Sequence, residues 1–531
     1  MSKPVVVVGT GHNALIAAAY LAREGHEVTV LERAERPGGA VQTRDDIFPG
    51  YRIDIGSSAH ILIHLTPILR ELELDRFGLE YIDCDPWAWY PLEDGRAIEF
   101  WRDIDRTCDS IARISPRDAE AYRRFCAEWE PLADAVLRLF LGPPTLGRTA
   151  WRLARAPSGG GGGGRAAQLQ QILGSYRGLL DTTFSHPAVR AAVEWMAAQS
   201  GPPPSELGAA PLAAWQPLYH RTGVKRARGG SGALTGALVR CIEHHGGRVE
   251  TGRPVRRIVV ERGRVTGVMV GDGPEPGRPL DEPPVRDGGE LVTAGAVLAG
   301  CHIATTFLHL LDGVDEVAGL RERVARLRIG NGFGMILRCA TSELPRYAGS
   351  GEAIAAHRGL QLLCPPAPYL DRAYADYLAG RPAADPAVVA MTWSAVDPTL
   401  APEGKHVLFA WAQYHPYTLA GGERWEDIRQ READRILSAV GRFAPNVPDC
   451  VDRVHIQTPP DLEQEIGLFN GNVMHLEMSL DQMFLFRPLP ELSAYTTPVK
   501  GLFLTGASTH PGGGVFGAPG MNAARVMLKA L

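Results

Sequence analysis

The first residues able to do chemistry lie close to the start of the chain. Gly9-Thr10-Gly11-His12-Asn13-Ala14 follows a run of four valines and fits the pattern G-x-G-x-x-[GA]. Gly9 permits a tight turn out of a strand. Gly11 lets backbone N–H groups approach a pyrophosphate with no Cβ between them, and Ala14 lets a helix pack closely on a sheet. His12 and Asn13 fall in the first helical turn, whose unpaired N–H groups and partial positive charge favour phosphate. Glu32 stands 21 residues after Gly11, where a carboxylate can accept both hydroxyls of a ribose. An acid at that place disfavours a 2′-phosphate. The constellation predicts a bound dinucleotide other than NADP.

Two further features choose between dinucleotides. Glu32 is followed by Arg33 and then by Gly38-Gly39-Ala40. A second close backbone approach just past the ribose acid suits a ligand that continues beyond the pyrophosphate. Near the other end of the chain, Gly506, Gly512-Gly513-Gly514 and Gly517 precede a helix expected from about Met521. A second glycine-lined helix start can stabilise negative charge on the N1–C2=O edge of a reduced flavin. The pattern predicts FAD.

These residues need elements to hold them. Residues 5–8 read as a buried strand, 14–24 as a helix with Gly25 past its end, and 28–31 as a second strand, a βαβ opening. Residues 87–101 read as a hairpin turning at Asp94-Gly95, with Trp87 and Trp89 on one face. Residues 115–141 read as a helix with Ser115 as N-cap and Pro116 at the first helical position. Six consecutive glycines at 159–164 predict a flexible surface loop over 157–165. A helix is expected at 233–246. RRIVVE and RVTGVMV then read as strands about a turn at Gly263, followed by a polar insert over about 271–289. GAVLAGC, GFGMILRCA, AVVAMTWSA and KHVLFAWAQYHP read as further strands. The pattern is that of an α/β protein.

On these residues the chain resembles the phytoene desaturase-related FAD oxidoreductases, and within them the branch of pyridine nucleotide-disulfide oxidoreductase domain-containing protein 2. The matching stretches are VVVVGTGHNALIAAAYLAREGHEVTVLERAERPGG, GGSGALTGALVRCIEHHGGRVETGRPVRRIVVERGRVTGV, NGNVMHLEMSLDQMFLFRP and LFLTGASTHPGGGVFGAPGMNAA. With weaker matches they span nearly the whole chain. The resemblance implies a Rossmann-like FAD-binding domain of the amine oxidase and phytoene desaturase type, built from 1–80, 222–305 and 490–531. It implies a second α+β substrate domain from 81–221 and 306–489, with an antiparallel sheet facing the flavin. It also implies that Val255 contacts the adenine end through its backbone, and that Asp54-Ile55-Gly56-Ser57-Ser58 lies near the isoalloxazine ring.

The activity implied is desaturation of a lipophilic or secondary-metabolite substrate by hydride transfer to flavin N5. Such a reaction needs a group to take a proton from the adjacent carbon. His475 is the first candidate, with His510 and His60 behind it. Glu477 reads as a partner for an arginine such as Arg487. Trp87, Trp89, Trp393 and Trp411 read as core. The chain has no CxxC pair and no second dinucleotide fingerprint, so electrons are expected to enter from the organic substrate and leave to oxygen or a quinone. The rivals are an FAD-dependent amine or alcohol oxidase, an isomerase using reduced FAD, and a flavoprotein scaffold with no turnover.

Composition bounds the rest. The 531 residues are 45% hydrophobic and 22% charged, with a formal net charge of −5 and no dense basic cluster, which argues against nucleic-acid binding. Eight scattered cysteines match no metal spacing and read as reduced thiols of a cytoplasmic protein. The stretch from Leu137 to Arg155, with Arg148, Trp151 and Arg152, has a second reading as a peripheral membrane contact, beside the plainer one of a packed helix and solvated loop.

Overall fold

The computed structural model describes residues 4–144, 147, 170–271, 289–348, 355–366 and 369–531. The glycine run, the basic stretch at 148–155 and most of the polar insert lie outside them. The valine run forms strand Val5–Val8 at the centre of a five-stranded parallel sheet. Its order is Leu502–Leu504, Ala296–Ala299, Val5–Val8, Val28–Leu31, Arg248–Glu250. Val5 and Val7 face one core, Val6 and Val8 another. A strand covered on both faces has no polar side, which is why the run is continuous rather than alternating.

The first helix, His12–Arg23, begins two residues before the expected start, with Gly11 at its N-cap and Gly25 at φ +84° just beyond its end. Its alanines bring the C-terminal helix, Ala518–Ala530, into close contact. A Cβ on Gly520 would stand 2.1 Å from the Asn13 carbonyl oxygen. Strands Val255–Glu261, Arg264–Val270 and Glu290–Thr293 form a small antiparallel sheet, turning through Arg262 and Gly263, both at positive φ.

A larger sheet faces this assembly. Its order is Val451–Gln457, Gly332–Thr341, His406–Pro416, Val388–Met391, Leu360–Leu363, Ala88–Pro91, Ala97–Phe100, antiparallel except where Leu360–Leu363 meets Ala88–Pro91. The helix Pro116–Phe140 has Ser115 accepting from Asp118 N at its start. The hairpin forms as expected, but its tryptophans do not share a face. Trp89 packs with Met335 and Tyr347, whereas Trp87 stacks on Tyr219 in the opposite core. The ladder begins at Ala88, so Trp87 lies outside the alternation that orders the strand. No helix among the described residues is long and apolar enough to cross a membrane.

Candidate active site

A cavity of about 470 Å³ lies between the two sheets. The carboxyl ends of parallel strands open on it, so Gly9, Glu32, Gly300 and Gly506 all reach its wall. Ligands of open parallel sheets bind at this edge. The opposite wall is one face of the larger sheet: Ile336, Leu360, Val389, Met391, Phe409 and Trp411. Ile336 and Val389 flank Trp411 in register, and Met391 pairs with Phe409, so this wall is apolar and continuous.

At the parallel-sheet end the glycines make room for something other than protein. A Cβ on Gly11 would meet no atom within 4 Å, and one on Gly39 would lie 3.3 Å from the Gly11 Cα, so the two glycine turns touch. Thr10 ties them together. Its N–H and hydroxyl donate to Glu32 Oε2 at 2.8 and 2.5 Å, and its Oγ1 accepts from Gly38 N at 3.0 Å. Among the described residues Glu32 Oε1 accepts only from Ala34 N, at 3.0 Å, which leaves it a further lone pair. Among the same residues His12 Nε2 and Asn13 Oδ1 are buried without a hydrogen-bond partner, although the Gly514 backbone acts on the His12 ring, and both residues line the cavity. Burial holds His12 down to about 4, so it presents a neutral imidazole. Orphaned polar atoms beside a glycine gap fit a dinucleotide.

A family model described as an NAD(P)-binding Rossmann-like domain matches residues 7–72. The phytoene desaturase (neurosporene-forming) of Rhodobacter capsulatus is 25% identical over 96% of this chain and 90% of its own. A limonene dehydrogenase component from Castellaniella defragrans is 27% identical, over 99% and 94%. Pyridine nucleotide-disulfide oxidoreductase domain-containing protein 2 of Rattus norvegicus is 31% identical, over 99% of this chain and 93% of its own. The chain belongs to the phytoene desaturase-related oxidoreductase family. Among solved structures, a putrescine oxidase variant shares the fold, with a TM-score of 0.60 at 13% identity over 99% of this chain and 98% of its own.

Within this desaturase-related fold the sequence candidates separate. Ala14, Arg33, Ala40, Ser57, Ser58 and Val255 all line the cavity. So does Gly514. Gly38 lies just behind it, and Gly517 and Met521 are turned into the core, where a Cβ on Gly517 would meet Ile16 and Ile68. His475 lines the cavity at φ +65°, with Nδ1 3.1 Å from Ser508 Oγ. Its carbonyl accepts from Nε2 of His302 at 3.0 Å, and His302 Nδ1 accepts from Ala304 N at 3.1 Å. Those two bonds fix the His302 tautomer, so His302 positions His475 while lining the cavity itself. Burial pulls His302 to about 4 and His475 well below its ordinary value.

The other two histidines turn away from the cavity. Ala59 and Ile61 line it, but His60 between them is fully buried on the opposite side of an extended segment, bonded to Tyr81 OH at 2.8 Å and Ser231 Oγ at 2.6 Å. His510 is buried, with Nε2 donating to the Leu139 carbonyl at 3.1 Å, and only its neighbour Pro511 reaches the cavity. Glu477 pairs with Arg328 at 2.8 Å rather than with Arg487, whose fork instead gathers backbone carbonyls, Ala507 and Met474 among them. Trp411 reaches the cavity, contrary to its reading as core. Thr10 and His302 went unread. Thr10 occupies a free position of the glycine motif, and His302 carries only the weak signal of a place just past a buried strand.

Proposed function

We propose that the chain binds FAD at the parallel-sheet end of the cavity and desaturates a lipophilic or secondary-metabolite molecule lying against the apolar sheet face. One observation carries this reading: a single space joins the glycine turns and Glu32 to the wall of Ile336, Val389, Met391, Phe409 and Trp411. The curated relatives named for limonene and phytoene support an apolar substrate. In this reading 1–80, 222–305 and 490–531 form the cofactor half, and 81–221 and 306–489 the substrate half.

Glu32 and the Gly11 turn would hold the ribose and pyrophosphate, with Arg33, Ala40 and Val255 beside them. Ser57, Ser58, Gly506 and Gly514 would flank the ring. The chemistry FAD supplies when bound is hydride acceptance, with oxygen or a quinone as final electron acceptor. The sheet face holds the substrate and excludes water. His475, kept neutral by burial and aimed by His302 and Ser508, takes the proton from the carbon next to the one that loses hydride.

Anaerobic bleaching of the bound flavin against a metabolite panel tests the reading, with NMR locating the new double bond. A lipophilic compound should bleach it and emerge with a carbon–carbon double bond. A carbonyl or imine product would instead place the enzyme among the oxidases. His475→Gln should slow bleaching by about 10²-fold or more with substrate binding kept. An unchanged rate would remove His475 from the chemistry.

A further inference from the structure

A second, much smaller space lies behind the cavity wall, of about 20 Å³, room for one water-sized particle. Arg226, Arg338 and Asp54 line it, and Ser58, Met391 and Phe409 separate it from the large cavity by lining both. The two arginines are each 1% exposed and Asp54 6%.

The charges around this space do not balance. Asp54 is fully used. Its Oδ1 accepts from Thr43 Oγ1 at 2.7 Å and Ser231 N at 2.8 Å, and its Oδ2 from Ser58 Oγ at 3.2 Å and from Arg226 Nη1. Arg226 Nη1 also donates to the Ser58 carbonyl at 2.9 Å, while its Nε is buried with no partner among the described residues. Among the described residues Arg338 has a single acceptor, the Ile55 carbonyl, on Nη2; its Nε and Nη1 are buried with none. Its guanidinium lies 4.0 Å from the Phe409 ring centroid. The other carboxylate whose field reaches Arg338, Glu465, is engaged by Gln457 at 2.7 Å and His455 at 3.4 Å.

Arginine does not shed its proton inside proteins. A buried guanidinium with two unmet N–H groups therefore carries both a charge penalty and a hydrogen-bond penalty. We propose that this space is a site for one small monatomic anion, of the chloride class, held by Arg338 Nε and Nη1 together with Arg226 Nε. Water there answers the N–H groups but not the charge. An anion answers both, with charge-assisted bonds that are roughly twice as strong as neutral ones. Carboxylate, phosphate and sulfate are too large for the volume. The four donors on Asp54 blunt its repulsion of the ion.

Melting of the full-length protein in sodium chloride or bromide, against gluconate at equal ionic strength, reads the site directly. Halide should raise Tm saturably by about 1–2 °C, and Arg338→Met should abolish the dependence. Since that variant can fail to fold, wild-type crystals grown in bromide decide the matter. An anomalous peak between the two guanidinium groups establishes the site. A bromide-saturated crystal with no peak there overturns it, and the space then holds water.

Discussion

Gly11 starts the first helix and Gly520 lies in the helix packed on it, yet a methyl group on each should do opposite things. At Gly11 (φ −54°) the backbone suits any residue, and the Cβ meets no protein atom within 4 Å. Gly11→Ala should cost the apoprotein at most about 1 kcal/mol while weakening the proposed FAD binding tenfold or more, because the methyl would enter the space assigned to the ligand. At Gly520 the Cβ would overlap the Asn13 carbonyl at 2.1 Å, so Gly520→Ala should cost roughly 2–3 kcal/mol of stability whether or not cofactor is present. Apoprotein melts and flavin titrations separate the two; equal losses of stability would show that Gly11 is structural. The sequence discloses Gly11 through its motif. His60 was legible in part, since alternation along an extended segment puts it opposite Ala59 and Ile61. His302 was not, because its role rests on the carbonyl of a residue 173 positions away.

The C-terminal segment shows how elements come to depend on one another. Its strand Leu502–Leu504 is the edge of the parallel sheet, and its helix lies on the first helix. Its side chains also close the end of another element. His510 Nε2 donates to the Leu139 carbonyl, and Asn522 Nδ2 to the Phe140 carbonyl at 2.9 Å. Those carbonyls end the helix Pro116–Phe140, where no intrahelical donor remains. His510→Ala should therefore cost about 1–3 kcal/mol by orphaning a buried carbonyl, yet leave the bleaching rate per bound flavin within about twofold. A loss matching that of His475→Gln would make His510 catalytic after all. Truncation before Gly501 should abolish flavin retention, and a truncated protein that stays yellow would contradict this. The elements that escaped the sequence did so for physical reasons. Helix Pro187–Ala198 is buried nearly all round and so has no polar stripe, and strand Val451–Gln457 is a half-exposed edge with weak alternation.

Across the whole molecule, burial of neutral imidazoles ties the cavity to the stability of the fold. Burial brings His12, His302, His357, His415 and His510 each to about 4, and pushes His60 and His475 well below their ordinary value. In the unfolded chain each titrates near 6.5. The folded values lie below the unfolded ones, so the unfolded state takes up more protons as pH falls. The stability these groups confer is present in full above 6.5 and is lost progressively as pH drops towards 4. A shift of that size is worth roughly 3 kcal/mol per group. Glu194 acts the other way, since burial raises it to about 7 despite the pull of Arg177, and its contribution grows as pH falls through that value. One such group cannot offset several imidazoles. Tm should be nearly flat above pH 7 and fall steeply between 6.5 and 4. Because His12, His302 and His475 line the cavity, retention of FAD should fail in the same window. A Tm that holds level to pH 5 would mean that these rings are solvated or already charged in the native state, and the neutral His475 assigned to proton uptake would fall with it.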